Sequence, residues 1–208
     1  MEEGPRLSRR DRRRHETREE ILAVARELLL EVGPEALSLR QVARRADFSP
    51  AALYNYFSSR DEIVASLFGE SFEKLDTYLE RVPADLPLRS RIVELGMAYL
   101  AFGRENPMDL RCVLFATSQE GLSSTEEAME LGLTALRIIG DAVREGTEQG
   151  LFAPDQSLSP AELAYGIWAL VHGLVSLSAI DLTPVADVIS ADERRVLEAF
   201  VSLLIPTR

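Results

Sequence analysis

The hydrophobic positions of this chain recur at spacings of three and four along nearly its whole length. Nowhere do they alternate over four to eight residues as a half-buried strand requires. Ile21, Leu22, Ala25, Leu28 and Leu29 make one apolar stripe, which predicts a first helix over 13–32 that Gly33-Pro34 ends sharply. Ser38 is placed to cap a short helix, with Gln41 as the reciprocal half of a capping box. In it Leu39, Val42 and Ala43 face inward and Arg40, Arg44 and Arg45 outward. Ser49 caps the next helix, and Pro50 takes its first position, where a missing N–H costs nothing. Leu53 and Phe57, four apart, pack it down, and Ser59 with Glu62 opens a long helix to about residue 81. After the prolines at 83 and 87 the pattern predicts helices at 88–105, 107–117, 124–149, 160–180 and 191–204. The fold class is therefore all-α, with about nine helices and no internal repeat at solenoid periods.

Residues 38–60 carry more polar and aromatic groups than a core needs. Ala46-Asp47-Phe48 must reverse direction within about three residues, and Asp47 enters the left-handed region more readily than most non-glycine residues. Phe48 can tuck beneath both flanking helices. The second helix then presents Pro50, Ala51 and Ala52, with Tyr54, Asn55 and Tyr56 behind them. Small residues let a helix approach the major groove, alanine methyls suit thymine methyls, and Asn55 suits an adenine edge. The hydroxyls of Tyr54 and Tyr56 and the Arg60 guanidinium suit phosphates, as do the helix starts at Ser38, Ser49 and Ser59. Two short helices, a tight turn and this polar set are how a helix-turn-helix reader of DNA looks in sequence.

Charge sharpens that reading. The chain carries a net charge of −11, but residues 1–60 hold 12 Arg against 10 Asp and Glu, and residues 61–208 hold 11 Lys and Arg against 24 Asp and Glu. Seven arginines stand between Arg6 and Arg18 against Asp11 and Glu16. An acidic body would orient the molecule so that this basic end meets DNA first. Residues 1–14 are expected as a basic disordered arm, either a solvated tail or a strand that follows the phosphate backbone. The single cysteine, Cys112, excludes an internal disulfide and fits a reducing cytoplasm. No run approaches the roughly 20 uninterrupted apolar residues of a membrane span, so no membrane partner is expected.

Residues from about 17 to 68 resemble the TetR/AcrR family of transcriptional regulators. The carriers are TREEIL at 17–22, LRQVARRAD at 39–47, SPAALYNYF at 49–57 and the Ser-Arg-Asp-Glu-Ile opening of the following helix. The resemblance implies a DNA-binding domain over 15–75, a ligand-sensing and dimerisation domain over 76–208, and a homodimer on a palindromic operator in double-stranded DNA. It implies that Arg40 can reach a base edge, that Ala51, Ala52 and Asn55 line the groove, and that Thr17, Tyr54, Tyr56 and Arg60 hold phosphates. Where the family usually has glycine and then a small β-branched residue in the turn, this chain has Asp47-Phe48.

About two thirds of the chain lies beyond the reading head. Tyr99, Phe102, Met108, Phe115, Met129, Trp168 and His172 are candidates to line an apolar pocket for a small-molecule effector, and the same residues suit an ordinary core. Trp168, His172 and Gly173 resemble the Trp-x-x-x-His-Gly signature of one branch of TetR-type C-terminal domains, and 106–115 resembles the same branch. Gly173 permits close helix contact. Val196, Leu197, Phe200, Val201 and Leu204 form a stripe on the last helix that is expected to meet a second copy in a four-helix bundle. No cofactor or metal site is expected. An enzyme is the rival class, yet His15 and His172 lack metal-ligand spacing, no glycine-rich phosphate loop appears, and a Cys112–His172 dyad rests on no spacing rule. A constitutive architectural DNA binder is the other alternative.

Overall fold

The computed structural model of the protein describes residues 8–116, 126–152, 157–181, 183–185 and 192–206; side chains at 126–133, 135 and 185 lie outside the described set. Its described residues form nine α-helices: α1 (Arg9–Val32), α2 (Leu39–Arg45), α3 (Pro50–Leu53), α4 (Arg60–Leu79), α5 (Leu88–Glu105), α6 (Pro107–Ala116), α7 (Glu126–Glu148), α8 (Pro160–Ser178) and α9 (Glu193–Leu204). A short 3-10 turn at Thr183–Val185 precedes α9. Helices α1 to α3 with the start of α4 form a head; α4 continues into a body of α5 to α9.

Most starts are built as the sequence reads. Ser49 Oγ accepts from Ala52 N at 3.1 Å, with Pro50 at the first helical position. Ser159 and Glu162 close a full capping box at the start of α8. Gly33, at φ 79°, stops α1. Two expected boxes form only in part. The Gln41 carboxamide oxygen accepts from the Ser38 hydroxyl rather than from its backbone. The Glu62 carboxylate reaches back one residue farther than a box requires, to the N–H and hydroxyl of Ser58 at 2.6 and 2.7 Å. Those bonds hold the Glu62 carboxyl below its usual range.

The expected disorder of the arginine arm is corrected for its described part. From Arg9 the chain is helical, capped by Ser8, whose hydroxyl accepts from Asp11 N.

One hydrophobic core runs through head and body. Ile21, Leu22, Leu53 and Phe57 fill the head; Leu67, Phe68, Leu100 and Phe102 fill the junction and body. Gly96 on α5 lets α9 dock, because a Cβ there would stand 2.9 Å from the Leu197 Cδ1 atom.

Candidate nucleic-acid interface and effector cavity

The turn between α2 and α3 depends on one residue in an unusual conformation. Asp47 sits at φ 59°, the only positive φ outside glycine among the described residues. This lets Phe48 N return to Ala43 O at 2.9 Å and swings Phe48 into edge-to-face contact with Tyr56, ring centroids 6.1 Å apart. Leu53 and Phe57 are fully buried beneath. Ser49, Pro50, Ala51, Tyr54 and Asn55 are left exposed, Tyr54 at 59%, while Ala52 and Tyr56 are half-buried. Arg40 is exposed in the first turn of α2, and Ser38 and Thr17 are half-buried.

The structure corrects the sequence reading here in two ways. The regular helix covers only Pro50–Leu53, and Tyr54, Asn55 and Tyr56 occupy a tightened turn closed by Asn55 N to Ala52 O and Tyr56 N to Leu53 O. Phe57 must return to the core, so the chain cannot continue as a straight rod. Arg60 is not freely presented. Its guanidinium is bound to Asp61 at 2.6–2.7 Å and reaches the carbonyls of Pro34 and Glu35 at 3.4 Å. A phosphate there would have to draw it away from Asp61.

In the body, α4, α5, α7 and α8 enclose a narrow slot of about 50 Å³, closed at one side by Val113 of α6. Tyr99, Trp168 and His172 stand in its wall, as expected of pocket residues. Phe102, Met108 and Phe115 do not. Phe102 is packed in the core against Tyr78 and Tyr99; Met108 lies on the surface; Phe115 is half-buried outside the wall. Met129 falls among the side chains outside the described set. The rest of the wall is aliphatic and was not singled out in the sequence: Leu75, Leu79, Ile92, Leu95 and Ile139 among others. The Tyr99 hydroxyl meets His172 Nδ1 at 3.3 Å, and the Trp168 ring lies 5.1 Å from the imidazole. Burial pushes the Tyr99 phenol up and the His172 imidazole down, so both are neutral at pH 7.

A second polar cluster ties head to body. Asp109 of α6, 5% exposed, accepts from Lys74 Nζ at 2.5 Å and from the Ser71 hydroxyl at 3.1 Å, both on α4. Arg26 of α1 lies 3.6 Å from the same carboxylate and 2.8 Å from Glu70. Arg111 donates to the Leu30 carbonyl near the end of α1. Burial raises the Glu70 carboxyl despite its arginine partner. Cys112 belongs to this cluster, its thiol raised by burial beside Ser71 and Arg26, which suits a packed residue rather than a nucleophile. Sequence reasoning missed this junction. Its one signal was an acid at the start of an otherwise apolar helix, which reads equally well as a helix-dipole residue.

The stripe on α9 divides in two. Leu197 and Val201 are buried within the monomer, Leu197 against Gly96 of α5, and both border the groove on this face. Phe200 and Leu203 are 51% and 75% exposed, and Val196 and Leu204 half-buried. Phe200, Leu203 and Leu204 line an apolar groove with Leu163 and Leu170 of α8. Gly173 has nothing within 4 Å of a Cβ built on it, so the close contact expected there is not made within this chain.

Comparison with known proteins settles the class. Residues 21–67 match the family described as "Bacterial regulatory proteins, tetR family", and residues 92–204 match "Tetracyclin repressor-like, C-terminal domain". The chain belongs to the TetR family. The HTH-type transcriptional repressor KstR of Rhodococcus jostii is 27% identical over 153 residues, 74% of this chain and 69% of that protein. The regulator UidR of Escherichia coli is 22% identical over 163 residues, 74% and 80% of the two chains. AibR, solved in complex with isovaleryl coenzyme A and operator DNA, superposes with a TM-score of 0.69 at 14% identity, covering 92% of this chain and 100% of that one. A tetR-family protein from Shewanella gives 0.70 at 19% identity, covering 92% and 99%. These two likenesses show a shared fold. This TetR-family chain is a DNA-binding transcriptional regulator, not an enzyme.

Proposed function

We propose that the protein is a homodimeric repressor that grips a palindromic operator through α3 and the turn after it, and is released by a small, mostly apolar effector. The observation that carries this reading is α4. Arg60, its first residue, belongs to the head; Phe72, Leu75 and Leu79, about 18–29 Å farther along the same rod, form a wall of the slot. A ligand that parts the slot must move the rod that ends in the reading head.

The slot has room for a few waters, so an effector binds a more open form and shifts the population only by its preference for that form. No charged side chain is among the described wall residues, and the polar atoms come from Tyr99, Trp168 and His172. The effector this suits is uncharged, with an oxygen that exchanges hydrogen bonds with the Tyr99–His172 pair. AibR was solved with isovaleryl coenzyme A and operator DNA together, which supports one fold holding a small molecule and DNA.

Pairing is supported by the exposed Phe200 and Leu203 and by α8. Helix α8 is long and apolar enough, with mean hydropathy 1.2 over 18 residues, to cross a membrane by length and composition. Its exposed face with open glycines at 166 and 173 suits instead a second copy of the chain. Such a dimer, working on DNA in the cytoplasm, would set two reading turns about 34–36 Å apart.

Selecting bound duplexes from a random pool, then screening metabolites for release, tests this. A palindrome should be enriched, and a releasing compound should shift the emission of Trp168, the single tryptophan. Enrichment of no palindrome overturns the operator reading. A palindrome that no compound releases marks a constitutive binder.

A further inference from the structure

We infer that Phe48 is a positioning residue for DNA binding: its ring fixes the Tyr56 ring, so that the Tyr56 hydroxyl meets a backbone phosphate without first having to be ordered. This rests on the DNA-binding reading above and names a residue that acts through another. The backbone comes first. Asp47, at φ 59°, turns the chain so that Phe48 N donates to Ala43 O at 2.9 Å, which brings the Phe48 side chain against the turn that follows α3. That turn is tied along its backbone. Asn55 N donates to Ala52 O at 3.2 Å, Tyr56 N donates to Leu53 O at 2.9 Å, and the Asn55 carbonyl accepts from Arg14 of α1 at 3.0 Å. Phe57, 1% exposed, anchors the far end in the core. The Tyr56 backbone is therefore fixed, and what remains free is the torsion of its side chain. The Phe48 ring limits it, with centroids 6.1 Å apart and planes at 76°, the edge-to-face geometry that ring quadrupoles favour. No other ring meets Tyr56 among the described residues, and its hydroxyl makes no hydrogen bond to them.

The contact is more than the core requires. Both rings are only half-buried, while Leu53 and Phe57 beneath them are sealed. What the pair does is hold the apolar body of Tyr56 and leave its polar tip unengaged. The neighbouring phosphate candidates differ. Tyr54 is 59% exposed with no ring against it among the described residues, and Arg60 is bound to Asp61. A tyrosine that is loose before binding must be ordered on binding, which lowers affinity about 3–10-fold for each such side chain. Phe48 removes that loss for Tyr56 in each half-site.

The alternative is that Phe48 only fills the head, so that its loss acts through stability and is independent of Tyr56. A double-mutant cycle separates the two. Phe48→Leu keeps apolar volume without the ring, Phe48→Tyr keeps the ring, and Tyr56→Phe keeps the Tyr56 ring without its hydroxyl. Phe48→Met takes the place of Phe48→Leu if circular dichroism shows that variant unfolded. Affinity for the selected operator is measured over a range of KCl concentrations. Phe48→Leu should weaken binding about 10–100-fold per dimer, and Phe48→Tyr less than about threefold. In protein that already carries Tyr56→Phe, Phe48→Leu should cost less than about threefold, because the hydroxyl it serves is gone. The log–log salt slope should be the same in every variant, since a neutral tyrosine releases no counterion. Losses that multiply across the cycle would overturn the proposal. So would Phe48→Tyr as weak as Phe48→Leu, or Tyr56→Phe as tight as wild type. A changed slope would overturn it too, because the arginines of the head would then have moved. Wild-type protein that binds no duplex would overturn the functional reading and this proposal with it.

Discussion

In the head the candidate contact side chains point outward; in the body the candidate pocket side chains point inward. Ser49, Pro50, Ala51, Tyr54 and Asn55 stand exposed on a short segment held from behind by Leu53 and Phe57. Tyr99, Trp168 and His172 line a slot whose other walls arrive from α4 and α7. An outward site needs only local instructions: a cap, a proline at the first helical position, one residue at positive φ. An inward site exists only once distant helices have packed. The head is thus specified residue by residue, and the body by the sum of its packing.

The junction between them is the place to break that contrast hardest. Asp109→Ala removes the carboxylate that holds Lys74 and Ser71 and sits beside Arg26, whose Nε already lacks a hydrogen-bond partner. Lys74 is partly exposed and Arg26 keeps Glu70, so the loss should fall at the low end for a broken buried pair, about 3 kcal/mol in denaturant unfolding. A loss under about 1 kcal/mol would mean that packing, not charge, joins head to body.

The same contrast explains what the sequence shows and what it hides. Asp47 and the Ser49-Pro50 start are legible because their conformations follow from their own chemistry. The shortness of α3 is not, since it depends on where Phe57 must go. Arg60 reads as a phosphate ligand because the sequence does not show that the carbonyls of Pro34 and Glu35, brought round by the fold, join Asp61 in holding it. In the body, periodicity says that Phe102 and Tyr99 share a helix stripe but not that one seals the core while the other lines the slot. The α9 stripe poses the same problem: a period of 3.6 marks a face but not what covers it.

That stripe gives the next largest effect. Phe200→Asp should leave helix content unchanged, since Phe200 is exposed in the monomer, and should give monomers in sedimentation, losing an anchor of about 2 kcal/mol or more. Leu197→Ala should do the reverse, lowering stability while dimers persist. Dimers that survive Phe200→Asp would move the seam away from α9.

The smallest expected effect separates the two regions by pH. Asp76 on α4 is half-buried, and one carboxylate oxygen is sealed from water with no hydrogen-bond partner. Burial, with Glu80 and Glu73 nearby, raises it from 3.8 to about 6. The folded protein therefore binds more protons than the unfolded chain between about pH 4 and 6, and Asp76 makes stability fall as pH rises through that window. The shift alone would correspond to about 3 kcal/mol, but solvent around a half-exposed group screens it to about 1 kcal/mol. Asp76→Asn should stabilise by that amount at pH 7.5 and by nothing near pH 4. Glu62 in the head has the opposite sign. Its carboxyl is held low by Ser58, so its contribution is present above the usual glutamate value of 4.5 and is lost as pH falls below it. Glu62→Gln should accordingly weaken the protein at pH 7.5, and progressively less as pH falls below 4.5. If the wild-type slope between pH 4 and 6 survives Asp76→Asn unchanged, the strained charge lies elsewhere in the body, and α4 is not where head and body differ electrostatically.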